Sequence, residues 1–208
     1  LMSKKIASKF SSTKQKRSRK TLEELMQAAL IIAEEADYKN FNSRKLAQKS
    51  GYALGTLVKR LGSVENIFLW AVKKIREKYS KEFVQQIKDI DKNLTLDAAL
   101  ERIIDKFFII FKKVNPKTIQ YFENRMFKKN GFVPDFYDYS DVGAIEWVKT
   151  AKNNKTNTFR QMSVDEAKIL FKMNMILIER PFVEGKAIAG TERHRKIIIE
   201  NLRRLFKK

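Results

Sequence analysis

Apolar residues recur along this chain at intervals of three and four, the period of a helix buried on one side. Leu22, Leu25, Ala29, Ile32 and Ala36 form one such stripe. Thr21 predicts the cap of that first helix, and Glu23 and Glu24 fall in its first turn, where carboxylates suit the helix dipole. The helix is expected to stop near Asp37 and Tyr38. Asn42 predicts the N-cap of a short second helix over about 43–50, with Leu46 and Ala47 turned inward. Gly51 stands where a helix ends in a left-handed residue, which glycine adopts without strain. A third helix over about 54–61 turns Leu57 and Leu61 inward and leaves Thr56, Lys59 and Arg60 on other faces. Two short helices about a tight glycine turn make a helix-turn-helix unit, whose second helix can lie in the major groove of DNA.

Further along, Ser63 predicts the cap of a long helix to about Lys88, and residues 89–93 a connector. A helix follows from Leu96 to Phe111, and Pro116 can open the next at its first turn. Gly131 to Pro134 break the chain, a helix covers about Val142–Lys152, and Asn153 to Asn157 form a polar loop. Ser163 and Glu166 have the spacing of a capping box for a helix to about Glu179, closed by Pro181 and Gly185. Thr191 to Phe206 gives the last helix, with Ile198, Leu202 and Leu205 in one stripe. Only 3 prolines and 7 glycines interrupt 208 residues, so the expected fold is all-α, without internal repeats.

Charge narrows the partners. The formal net charge is +20, which points to an anionic surface. Residues 1–20 carry Lys4, Lys5, Lys9, Lys14, Lys16, Arg17, Arg19 and Lys20 and no acid, the composition of a flexible basic arm, which reads either as a solubilising tail or as an arm that seeks phosphates. There is no cysteine, which excludes disulfides and thiolate chemistry. The one histidine, His194, reads as a solvated helix residue and leaves little room for His-based metal sites or triads. Asp135, Asp138 and Asp141 recur every third residue but lack the glycine and glutamate of a calcium loop, so they read as helix-start carboxylates. Glu34 and Glu35 are adjacent on a helix and point apart. No phosphate loop, nucleophile elbow or zinc pattern occurs, so neither an enzyme nor a cofactor or metal is expected. No apolar run is long enough to span a bilayer and no leader segment is evident, so the expected location is cytoplasmic, away from membranes.

Residues 25–72 resemble the N-terminal domain of the TetR/AcrR family of transcriptional regulators. The resemblance is carried by Leu25 to Leu30, Glu34 with Glu35, Tyr38, Arg44, Leu46 with Ala47, Gly51, Gly55 to Leu57, Ser63 and Glu65, without a gap. It implies a homodimeric repressor with a DNA-binding head at 21–66 and a helical effector-binding and dimerisation domain at 67–208, the dimer closing through the last two helices of each subunit. Operator DNA and a small-molecule effector are the partners it implies. The chain departs from the family pattern at Asp37, Ala53, Leu54, Val58, Arg60 and Val64. Several of those positions touch phosphates in the family, so the contacts are expected to shift to Lys45, Lys49, Lys59, Arg60 and the arm. Candidate DNA-binding residues are Arg44, Lys45, Tyr52, Thr56, Lys59 and Arg60, with Arg17, Arg19 and Lys20 from the arm.

Residues 90–180 are rich in large apolar groups, which are mostly core at this spacing. Together they suggest a pocket for an apolar or aromatic effector, with Phe111, Tyr121, Phe122, Trp147, Phe171 and Met175 as its candidate lining. A competing reading is a dimeric scaffold or ligand carrier whose DNA-binding head has degenerated. A basic membrane-surface protein is disfavoured, because the arm has no large apolar face.

Overall fold

The computed structural model describes residues 2–35, 41–53, 55–56, 59, 62–130 and 138–208, with backbone alone at 2–18, 129–130 and 138–139. Every extended element among the described residues is a helix. The chain divides into two compact units, Leu1–Ile75 and Arg76–Lys208.

The first unit holds α1 (Met2–Glu35), α2 (Ser43–Ser50) and the beginning of α3 (Val64–Lys88). Leu25, Ala28, Ala29, Ile32, Leu46, Ile67 and Phe68 are buried there, and Phe41 meets Phe68 edge-on at 5.2 Å between ring centroids. Both ends of α2 follow from local chemistry. The Asn42 side chain accepts the Lys45 amide at 3.0 Å, and Gly51, at φ 73°, donates its N–H to Ala47 O at 2.9 Å. Ser63 Oγ accepts the Asn66 amide at 3.1 Å and so caps α3, which ends at Lys88 as the sequence predicts.

Helix α1 departs from expectation. It begins at Met2, where the sequence predicts a flexible arm and a helix start only at Thr21. The physical reason is the absence of a breaker: residues 1–50 contain neither proline nor glycine. Two i,i+4 ion pairs, Arg19 with Glu23 and Lys20 with Glu24, bridge the expected boundary. Leu22 is exposed rather than buried, one turn ahead of the packed stripe that starts at Leu25. The expected inward residues Leu57 and Leu61, and the predicted helix stop at Asp37 and Tyr38, lie outside the described residues.

The second unit holds the rest of α3, then α4 (Leu96–Lys113), α5 (Pro116–Asn130), α6 (Asp138–Asn153), α7 (Val164–Val183) and α8 (Glu192–Phe206). Helix α7 packs against α4, α5, α6 and α8 and forms the spine of the core. Its N-cap is Ser163, whose Oγ accepts the Glu166 amide at 3.1 Å; Thr191 caps α8 in the same way through the His194 amide at 3.2 Å. The polar segment after α6 ties together the N-terminal end of α4 and the C-terminal end of α8. Leu96 N–H reaches Thr158 Oγ1 at 2.9 Å, and Arg160 N–H reaches Phe206 O at 2.8 Å.

Pro181 does not close α7 near Glu179 as predicted; it lies inside the last turn, and the helix runs on to Val183. Proline has no N–H, so the Leu177 carbonyl loses its helical donor. The side chain of His194 takes that place. Its Nε2 lies 3.3 Å from Leu177 O, and its Nδ1 accepts the Gly190 N–H at 3.3 Å. Those two partners assign the ring proton to Nε2. His194 is only 3% exposed, packed near Phe108 and Phe182, so the solvated role read from the sequence is corrected. Asp141 is in the first turn of α6 and pairs with Lys168 and Lys172, each at 3.8 Å, while Asp135 and the side chain of Asp138 lie outside the described residues.

Candidate nucleic-acid interface and apolar cavity

The turn from α2 through Gly51 is where the sequence places DNA contacts. Arg44 and Lys45 are exposed in the first turn of α2. Gly55, Thr56 and Lys59 are helical; Lys59 is exposed and Thr56 half-buried. Among the described residues, no acid is paired with Arg44, Lys45 or Lys59, which leaves their charge available to an anion. Lys49 is paired with Glu35 at 3.7 Å. Arg19 and Lys20 are exposed on α1 with their Glu23 and Glu24 partners, pairs too solvated to hold the cations strongly. Tyr52 is half-buried, and its hydroxyl donates to the Glu24 carboxylate. That bond fixes the chain after Gly51 onto α1 and engages the polar end of Tyr52. Arg60, the departures at Leu54 and Val58, and the side chain of Arg17 lie outside the described residues.

The second unit holds a partly open apolar cavity of about 40 Å³. Trp147, Phe171 and Met175 are in its wall. The other three candidates are elsewhere. Phe111 stacks between Phe107 and Phe182, at 6.0 and 5.6 Å between centroids. Tyr121 lies under the Arg125 guanidinium at 5.2 Å, and Phe122 is buried away from the cavity. Sequence reasoning missed Phe83 and Ile87 on α3, Ile103, Ile104 and Phe107 on α4, and Leu202 and Phe206 on α8. Helix amphipathicity marks these residues as inward, but only the packing of distant helices decides which inward positions meet at a void. Asn174 is the single polar residue in the wall. Its amide donates to Leu170 O at 2.7 Å and accepts from Asn201 at 3.0 Å, so both polar atoms are engaged.

Two further features belong to α7. Ile169, Met173, Ile176 and Leu177 are exposed on one side of it, Ile169 to 69%, and Ile197 is exposed on α8. Glu179, in contrast, is 2% exposed. Its carboxylate lies 3.8 Å from Arg76, and Oε2 has no hydrogen-bond partner among the described residues. Burial pushes the Glu179 carboxyl above its ordinary value, against the pull of Arg76. No group of acids and histidines among the described residues is arranged to hold a metal ion, and no helix among them is long and apolar enough to cross a membrane.

No protein-family model matches the chain, and no curated protein resembles it in sequence. Among solved structures, it is similar to a protein of Mesorhizobium loti assigned to the TetR family of transcriptional regulators. The two superpose with a TM-score of 0.67 over 92% of this chain and 99% of the other, at 11% sequence identity. The chain therefore has the TetR-family fold, with an identity low enough that the likeness speaks for architecture alone.

Proposed function

We propose that this chain is a homodimeric, DNA-binding transcriptional regulator, a repressor released from its operator by a small apolar or aromatic effector. The observation that carries the reading is the Gly51 turn in a TetR-type fold, with the exposed cations Arg44, Lys45 and Lys59 around it and +20 of net charge behind it. Arg44, Lys45 and Lys59, with Arg60 and the basic residues of α1 up to Lys20, supply phosphate anchors; Thr56 and Tyr52 are the candidates for base reading. The apolar cavity is the effector site.

The dimer interface of this reading is the exposed apolar stripe of Ile169, Met173, Ile176 and Leu177 with Ile197, on the last two helices. Four exposed apolar residues on one side of a helix invite a cover, and a second copy would supply it, together with a cover for Ile197, in a four-helix packing. Two heads per particle then meet two half-sites of a palindrome.

The test is a mobility shift with the DNA upstream of the chain's own coding region, together with sedimentation to obtain the mass of the bound particle. The reading expects a dimer on a palindromic site. A dimer that binds no duplex at low salt would favour a scaffold or carrier instead, and a monomer under all conditions would end the dimeric reading.

A further inference from the structure

Gly143 stands in the interior of α6, where glycine costs a helix roughly 1 kcal/mol relative to alanine. The packing explains it. A Cβ at this position would lie 2.7 Å from Cε1 of Phe83 and 3.4 Å from Cε1 of Phe171. The Phe83 ring therefore rests on the bare backbone of α6. Its ring neighbours are Phe107 at 4.8 Å and Phe171 at 6.2 Å between centroids. The same ring is part of the cavity wall.

The cavity is too small for an aromatic ligand as it stands. One water-sized sphere takes about 10–15 Å³, and a void that admits benzene measures about 150 Å³. The 40 Å³ found here holds a few such spheres. A ring can enter only if a side chain of the wall moves. Trp147 is held by Phe159, Phe171 and Phe206 at 5.3, 5.9 and 5.3 Å. Phe83 rests partly on a surface without a side chain, so it can slide along α6 without dislodging a knob from that helix.

Resting on the effector-cavity reading, we propose that Phe83 sets the size limit of this site, and that a neutral ligand of one aromatic ring enters by displacing the Phe83 ring from its notch at Gly143. Neutrality follows from the wall: it holds no charged side chain, Asn174 spends both ends of its amide on protein partners, and the buried Trp147 Nε1–H, without a partner among the described residues, is an uncharged donor.

Toluene is the probe, titrated calorimetrically into the full-length wild type, F83A, F83L and G143A, with folding checked by circular dichroism. F83A vacates the ring's space and is expected to bind toluene at least tenfold more tightly than wild type, with F83L between the two. In G143A the added methyl drives the ring into the cavity, and affinity falls below that of wild type. If F83A fails to fold, F83L against wild type carries the same comparison. Equal toluene affinity in the wild type and the position-83 variants would overturn the role of Phe83 and leave the cavity as an effector site. Absence of toluene binding in every folded variant would overturn both.

Discussion

Helix α7 retains a proline in its last turn because a side chain from α8 replaces the missing donor, and this arrangement can be tested by a double-mutant cycle. H194F keeps an aromatic ring between Phe108 and Phe182 but removes both ring nitrogens. Leu177 O and the Gly190 N–H then lose their partners. An unsatisfied, partly buried backbone group costs about 1–3 kcal/mol, and bonds of 3.3 Å belong at the low end, so H194F is expected to lose about 2 kcal/mol in total. P181A restores an amide at the position from which a helix normally donates to Leu177 O. Its own effect on stability is mixed, since relief of the proline clash is offset by a freer unfolded chain. The cycle cancels that term. In the P181A background the loss from H194F should shrink by about 1 kcal/mol, the share of the Leu177 carbonyl, while the Gly190 share remains. The assay is equilibrium urea unfolding at one fixed protein concentration, followed by far-UV circular dichroism. Additivity within about 0.5 kcal/mol would refute the substitution of His194 for the missing amide.

Gly51 adopts φ 73°, so G51A should cost about 1–2 kcal/mol in the same unfolding assay, and no loss would mean that the turn relaxes freely. Glu179 is held above its ordinary 4.5 by burial, so the folded chain keeps a proton that the unfolded chain releases as pH rises. Its contribution is greatest below that ordinary value and declines as pH climbs through the raised one; E179Q should remove this decline, and parallel stability–pH curves for the two proteins would contradict it. Lys45 and Lys59 are assigned to phosphates in the proposed complex, so K45A and K59A should each reduce the log–log salt slope of DNA binding by about 0.9. A slope unchanged in both variants would remove them from the interface.

The signals that the sequence reveals are those whose physics is local. Asn42, Gly51, Ser63 and Ser163 mark helix ends through bonds that span a few residues, each where predicted, and Thr191, read as the first residue of the last helix, caps it. Longer-range arrangements are not visible. The basic segment reads as an arm because its charges repel, yet nothing in it interrupts a helix, and the structure continues α1 through it. Pro181 reads as a stop because its rescue comes from His194, on another helix. The cavity is legible only in part: Trp147, Phe171 and Met175 belong to the segment that drew attention by composition, while Phe83, Leu202 and Phe206 arrive from outside it.

The division between the two units falls between Ile75 and Arg76, inside the continuous helix α3 rather than in a loop. A protease searching for an exposed joint finds no loop at that seam, and a fragment cut there would carry half a helix with frayed ends. Anyone wishing to graft the first unit onto another body has to carry α3 with it, because Ile67 and Phe68 on that helix are buried in the unit, and to splice beyond Lys88, where the helix ends. The join would then fall in the connector before Leu96, and α3 would pass whole into the hybrid.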